Sequence, residues 1–294
     1  MLAITGGTGH TGCFFIKELE VARYNGPIKC LVRTSSKKND VNKETLNMEF
    51  VEGSLEDTEK IRSLLNGASV VVHIANIHYS LEVLRIGKEC GVKRFILVHT
   101  TGIYSKYKAA SQDYIEIEKK ILPMMKEMNI TILRPTMIFG DMCDYNISKF
   151  IKFVDKLPVL PVVAGGKAKI QPVNARDLAK ALYMVLEKEQ TRGKAYDVSG
   201  ATVITIKELY KNIANCLNKR RIILSVPMGI CVAGAKVIRL FTCGKYNLEE
   251  KVLRMGEDRN YSHKEATNDF GYEPEEFCVG LRREVDEYLG VLNK

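Results

Sequence analysis

The chain has 294 residues, 46% of them hydrophobic and 27% charged, with a formal net charge of +9. That composition excludes a disordered or fibrous chain and suffices for one large or two modest globular domains. The cationic excess is spread out; only Lys37-Lys38 and Lys219-Arg220-Arg221 are locally basic and neither is interleaved with aromatics, so small anionic ligands are favoured over nucleic acid.

Through the first two thirds, short apolar runs alternate with amphipathic stretches. The periodicity predicts strands at 2–5, 28–33, 48–51, 70–74, 94–99 and 130–134, with helices near 11–24, 56–66, 79–91 and 111–128 between them. Such alternation implies right-handed crossovers and a parallel, doubly wound sheet. Val70-Val71-Val72 and Phe95-Ile96-Leu97-Val98 are apolar without a break, as strands covered on both faces must be. Pro123 lacks a backbone donor and is expected to kink its helical stretch.

After Gly140 the pattern loosens. Residues 143–171 read as one helical stretch and a loop with Pro158, Pro161 and Gly165-Gly166, followed by a helix at 177–188 and one more strand at 194–198. From residue 204 the chain reads as mainly helical, at 204–217, 228–241, 247–255 and 275–292. The most apolar later stretch, 222–235, is interrupted by Pro227 and closed by Lys236 and Arg239. It is too short to span a bilayer and reads as a buried helix. The expected architecture is α/β: a Rossmann-type doubly wound parallel sheet from 1–142 plus 172–200, and a smaller, mainly helical substrate lobe from 143–171 plus 201–294. A cleft between the two would hold the substrate.

The eight cysteines contain no C-x-x-C pair and no zinc-ligand spacing, so they are expected to be reduced and mostly buried. Met1 runs directly into an apolar strand, leaving no room for a signal peptide, which predicts a cytoplasmic protein without membrane attachment. The five histidines form no H-x-x-x-H pair and no metal site is expected; His73 and His99 read as satisfied core histidines. No G-x-S-x-G follows a strand, so hydrolase chemistry is not indicated.

The strongest motif is Gly6-Gly7-Thr8-Gly9-His10-Thr11-Gly12, which closes the first strand and opens a helix. Gly6 permits the tight turn, Gly9 lets backbone N–H groups approach a pyrophosphate, and Gly12 allows close helix–sheet packing. An acid at the end of the second strand would select NAD through the ribose 2′-hydroxyl, but this chain has Arg33-Thr34-Ser35-Ser36-Lys37-Lys38. Arg33 can stack on adenine and pair with a 2′-phosphate, with Lys37 or Lys38 adding charge, so NADP is expected over NAD.

Together these residues resemble the extended and atypical short-chain dehydrogenase/reductases, in particular the nucleoside-diphosphate-sugar epimerase/dehydratase branch. The likeness extends through Gly53-Ser54-Leu55, His73-Ile74-Ala75-Asn76, Val98-His99-Thr100-Thr101-Gly102-Ile103-Tyr104, Leu133-Arg134-Pro135 and Pro172-Val173-Asn174-Ala175-Arg176-Asp177 to Asp269-Phe270-Gly271-Tyr272. The resemblance implies that Ser54 and Leu55 lie near the adenine, Ala75 and Asn76 near the ribose and pyrophosphate, and Pro135 and Thr136 near the nicotinamide. Family catalysis uses a Ser or Thr, a Tyr, and a Lys four residues after the Tyr. Thr100 matches the first position, with Thr101 second. A literal Y-x-x-x-K stands at Tyr104 and Lys108, directly after the fifth strand, where the family carries a different tyrosine. The register set by Glu118 instead puts Ala110 and Tyr114 at the pair, leaving Tyr104 and Tyr107 as proton-donor candidates with Lys106 or Lys108 nearby.

Asp177 reads as a helix-start residue, and Arg176, Arg221 and Arg254 as candidates for a substrate diphosphate. Two functions follow. One is an NADP(H)-dependent oxidoreductase or epimerase acting on a carbonyl or hydroxyl group of a small, nucleotide-sugar-like substrate. The other is a catalytically impaired NADP-binding regulatory or accessory protein. Homo-oligomerisation is left open.

Overall fold

A computed structural model of the chain describes residues 1–34, 45–108, 111–242 and 248–290. Its centre is a seven-stranded, all-parallel sheet of β1 (Leu2–Thr5), β2 (Ile28–Val32), β3 (Met48–Glu52), β4 (Val70–His73), β5 (Arg94–Val98), β6 (Ile130–Pro135) and β11 (Ala195–Val198). The spatial order is β3-β2-β1-β4-β5-β6-β11. Helices α1 (His10–Val21), α2 (Thr58–Leu65), α3 (Ser80–Glu89), α4 (Gln112–Ile121) and α6 (Ala175–Glu187) supply the crossovers. Unbroken apolar runs make this possible: Leu2, Ala3, Ile4, Val71, Val72, Ile96 and Leu97 are fully buried, which demands cover on both faces. Chain order reverses between β1 and β4, the crevice where open α/β sheets bind ligands.

Asp57 caps α2 by accepting from the amides of Glu59 and Lys60. Pro123 ends α4 early, and the residues after Ile121 tighten into a 3₁₀ turn, Leu122–Met124.

The remaining elements are β7 (Ile138–Phe139), α5 (Ile147–Lys156), β8 (Val159–Val163), β9 (Lys169–Ile170), β10 (Val173–Asn174), β12 (Ile204–Thr205), α7 (Ile206–Cys216), β13 (Ile222–Val226), α8 (Met228–Phe241), α9 (Glu249–Arg254), α10 (Lys264–Phe270) and α11 (Phe277–Tyr288). A second core gathers Ile151 and Val154 of α5, Leu160 of β8, Leu209 and Ile213 of α7, and Leu281 of α11. Helix α10 packs elsewhere, with Ala266 and Phe270 against the sheet's own core.

Three expectations are corrected. Residues 159–163 are a strand, not loop, and pair in parallel with β13. The stretch 222–235 is not one buried helix: it is β13 followed by α8, and of α8 only Ala235 is buried. All seven described cysteines are free, but only Cys30 is buried; Cys143 and Cys278 are exposed, and Cys243 lies outside the described residues.

Candidate functional site

After β1 the chain turns at Gly6 with φ +77°, which a side chain would strain. A Cβ there would sit 2.8 Å from the Ala75 amide nitrogen, and one at Gly12 would sit 2.0 Å from the Gly6 carbonyl oxygen. The loop, the β4 exit and α1 are therefore packed backbone to backbone. Gly7 lies against the buried Cys30 sulfur, where a Cβ would come within 2.6 Å. Gly9, exposed at the tip, caps α1 without a side chain, and no acid stands in the helix's first turn. Leading N–H groups and the positive end of the helix dipole are left for an anion, so the residues present fit a dinucleotide pyrophosphate.

The surrounding positions take their places around this loop. Thr8 and His10 are half-buried and Thr11 is buried. His10 Nε2 lies 3.1 Å from Asp141 Oδ1. Burial alone would raise the Asp141 carboxyl, but His10 and Arg176 hold it below the ordinary range. Arg33 is exposed at the end of β2, while Lys37 and Lys38 lie outside the described residues. Ser54 accepts from the Glu56 amide at 3.2 Å and Leu55 packs on the sheet core. Ala75 and Asn76 follow β4, with Asn76 Oδ1 accepting from the His78 amide at 3.1 Å.

At the C-terminal ends of β5 and β6 lies a cavity of about 400 Å³. Thr100, Pro135 and Thr136 line it from the sheet, and Arg254, at the end of α9, and Arg259 and Tyr261, from the segment that follows, line it from the other side. Thr100 Oγ1 accepts from the Gly102 amide at 3.0 Å, so its own proton remains available. Thr101 donates to the Pro135 carbonyl at 3.1 Å.

Long-range contacts carry Tyr261 to this cavity. Its amide donates to Gln171 Oε1 at 3.1 Å, and the buried Gln171 amide donates to the Gly200 carbonyl at 2.7 Å. Arg259 donates to the Lys169 carbonyl at 2.7 Å and bridges to Ile170. Burial, with Glu257 beside it, raises the Tyr261 phenol above its ordinary pKa, so it stays protonated. Glu257 also spans the mouth, accepting from the Ser105 hydroxyl at 2.7 Å and the Lys106 amide at 2.6 Å.

Beneath Thr100 is a buried polar cluster. Glu118 Oε2 lies 2.9 Å from His99 Nδ1, Glu118 Oε1 accepts from Arg134 Nε at 2.7 Å, and His99 Nε2 meets the Ser80 hydroxyl at 3.3 Å. His73 is also satisfied, between the Thr5 hydroxyl at 2.6 Å and the Asn76 carbonyl at 3.2 Å, and burial pushes its pKa down to about 4.

Of the catalytic candidates, Thr100 lines the cavity and Tyr104, Tyr107 and Lys108 do not. Tyr104 donates to Asp197 Oδ1 at 3.0 Å and accepts from Arg134 Nη1 at 3.1 Å. Its ring centroid lies 5.1 Å from that of Tyr261. Burial first and Asp197 next push its phenol up to about 12, against the pull of Arg134. Tyr107 spends its amide on Ser105 Oγ, and the Lys108 carbonyl accepts from Ser111 and Gln112 at the start of α4. The Tyr114 ring lies tilted against that of His78, with centroids 5.3 Å apart, and Ala110 lies outside the described residues.

Asp177 does stand at a helix start, in the first turn of α6, but the cap is Asn174; Asp177 instead accepts from the Glu275 amide at 3.1 Å, tying the tail down. Among the candidate diphosphate arginines, Arg176 donates to the Gly140 carbonyl and sits over the Phe14 ring. Arg221 donates to the Val154 and Asp155 carbonyls at the end of α5. Only Arg254 of the three lines the cavity.

The NAD(P)H-binding family matches residues 6–144, the stretch that holds the glycine loop, the β4 exit and Thr100. This stretch is similar to NAD(P)H-binding domains. The chain is 27% identical over 175 residues to NADH dehydrogenase [ubiquinone] 1 alpha subcomplex subunit 9, mitochondrial, of Dictyostelium discoideum, covering 52% of this chain and 46% of that protein. It thus spans about half the length of that relative. It is 22% identical to the UDP-glucose 4-epimerase of Vibrio cholerae over 77% of this chain and 79% of that one. Its fold matches the UDP-glucose 4-epimerase of Thermotoga maritima, solved with UDP-glucose, at a TM-score of 0.73 and 18% identity over 99% of both chains. The matched stretch therefore sits in a chain whose fold, end to end, is that of a solved UDP-glucose 4-epimerase. Among the described residues, no helix is long and apolar enough to cross a membrane.

Proposed function

We propose that the protein is an NADP(H)-dependent oxidoreductase or epimerase that acts on a carbonyl or hydroxyl group held in the cavity at the ends of β5 and β6. The observation that carries this reading is that Thr100, Pro135 and Thr136 line a cavity on the same sheet edge as the glycine loop. The bound nicotinamide would supply or accept the hydride. The glycine loop would hold the pyrophosphate, and Arg33 the 2′-phosphate that distinguishes NADP from NAD. The Thr100 hydroxyl would donate to the substrate oxygen and fix its direction. The Tyr261 phenol, kept protonated by burial, would give that oxygen its proton in the reducing direction, and solvent would then restore it.

A second reading is a cofactor-binding regulatory or accessory protein without turnover. One observation favours it: among the described residues lining the cavity there is no lysine to lower a phenol's pKa. Separate titrations with NADPH and NADH, followed by nicotinamide fluorescence and repeated with Arg33→Ala, test the shared cofactor assignment. Strong NADPH preference that Arg33→Ala abolishes is expected, and equal or absent binding would defeat it. Oxidation of bound NADPH by a panel of aldehydes and ketones then separates the two readings.

A further inference from the structure

Behind the proposed reaction cavity, and sharing Met137, Asn146 and Arg259 with it, lies a second cavity of about 700 Å³. That size is within the range of small-molecule sites, which run from about 300 to 1,000 Å³. Its walls are the β8–β13 pair, α5, α8 and α9, contributing Phe150, Phe153, Val162, Val226, Val252 and Met255. Two of the few polar groups at its edge are already engaged. Asn146 Nδ2 donates to the Ile138 carbonyl at 2.8 Å, and the Lys149 ammonium sits over the Tyr145 ring at 5.4 Å. A uridine or thymidine placed here would surrender its hydration and find few partners, which is costly for every buried polar atom.

The junction of the two cavities has the opposite character. Arg254 and Arg259 converge on the reaction cavity, and the Nε atom of each is buried with no hydrogen-bond partner among the described residues. The nearby carboxylates are committed elsewhere: Glu257 to Ser105 and Lys106, Asp258 to the Lys169 amide. Burial and the charge of Arg254 both lower the Arg259 pKa, a repulsion that an anion between the two would relieve.

We propose that the substrate is an amphiphile, with an acidic or strongly polar head at Arg254 and Arg259 and an unbranched apolar tail in the second cavity. The inference deepens the function proposed above and rests on it for the reacting end of the molecule. The cavity's outer wall supports it. Helix α8 faces the cavity through the half-buried Cys231, beside Val226 of β13 and across from Val252 of α9, so a tail there would bury apolar surface on every side.

The test is calorimetric titration of the full chain, with and without NADPH, using straight-chain carboxylates of increasing length, the matching alcohols, and UDP. Affinity is expected to rise about fourfold per added methylene until the cavity is filled. Carboxylates should bind better than alcohols of equal length, and Arg259→Gln should erase that difference. Cys231→Trp, and independently Val252→Trp, should flatten the length dependence by occupying the cavity. Affinity that ignores chain length, or UDP binding more tightly than the longest carboxylate, would overturn the proposal. The two readings fail independently: length-dependent binding with no NADPH oxidation by the aldehyde and ketone panel defeats the enzymatic reading and keeps the tail site, and NADPH oxidation by short carbonyl compounds without length-dependent binding does the reverse.

Discussion

Glu118 braces His99 from below the cavity, with Oε2 2.9 Å from Nδ1, and its other oxygen accepts from Arg134. Burial would raise this carboxyl, but His99 and Arg134 outweigh it and hold the pKa below the ordinary value of 4.5. The side chains of Glu118 and Arg134 are 4% and 12% exposed, so removing the acid strands a buried cation. Glu118→Ala should cost about 3 kcal/mol or more, a fall in melting temperature on the order of 10 °C by thermal denaturation. Because the folded-state pKa is depressed, this contribution is complete above about pH 4.5 and is lost as pH falls through the folded value. A Glu118→Ala variant as stable as the parent at pH 7 would show that the cluster contributes nothing.

Gly12→Ala should abolish NADPH binding, because its methyl would drive the Gly6 carbonyl, 2.0 Å away, out of the loop. Gly91→Ala is the control for strain alone: its φ of +75° disfavours a side chain, but nothing lies within 4 Å of the added carbon. It should lower stability by roughly 1 kcal/mol and leave NADPH affinity unchanged, as measured by nicotinamide fluorescence.

The two glycines also show how legible the chain is. The loop at Gly6–Gly12 could be read from sequence because its demands are local: a turn, an approach and a helix start within seven residues. The parallel strands were equally legible, because burial on both faces leaves unbroken apolar runs. Strand β8 was not, since Pro158 and Pro161 imitate a loop; β13 was not, since its five residues run into an apolar helix and share its composition. Tyr261 carries no local signal at all. Its place in the cavity depends on Gln171, 90 residues earlier in the chain.

Glu284 offers a pH test on the opposite side of neutrality. It is fully buried, its Oε2 accepts from the Gly140 amide at 3.0 Å, and burial together with the Asp144 carboxyl pushes its pKa up to about 10. A carboxyl whose folded pKa is raised stabilises the fold below its unfolded value, near 4.5, and loses that contribution as pH climbs toward the folded value. Glu284→Gln removes the titration while keeping the shape. The parent should lose stability relative to this variant between pH 6 and pH 9, by about 4 kcal/mol, or on the order of 10 °C in melting temperature. Parallel melting curves across that range would mean that Glu284 is ionised in the fold.

The two neighbouring phenols, Tyr104 and Tyr261, separate proton transfer from positioning. Tyr261 lines the reaction cavity, whereas Tyr104, 5.1 Å away, is committed to Asp197 and Arg134. If Tyr261 supplies the proton, Tyr261→Phe should lower kcat by about 10²-fold or more and leave NADPH affinity intact. The alkaline limb of the parent's rate profile should disappear in that variant, since the limb reports loss of the phenol proton above the ordinary tyrosine range. Tyr104→Phe breaks the link from Arg134 to the rim while leaving the Tyr261 phenol in place. It should raise KM a few-fold with that limb preserved. A large fall in kcat for Tyr104→Phe and none for Tyr261→Phe would move the donor to the literal Y-x-x-x-K tyrosine, and the cavity would then have to rearrange on binding to bring Tyr104 within reach.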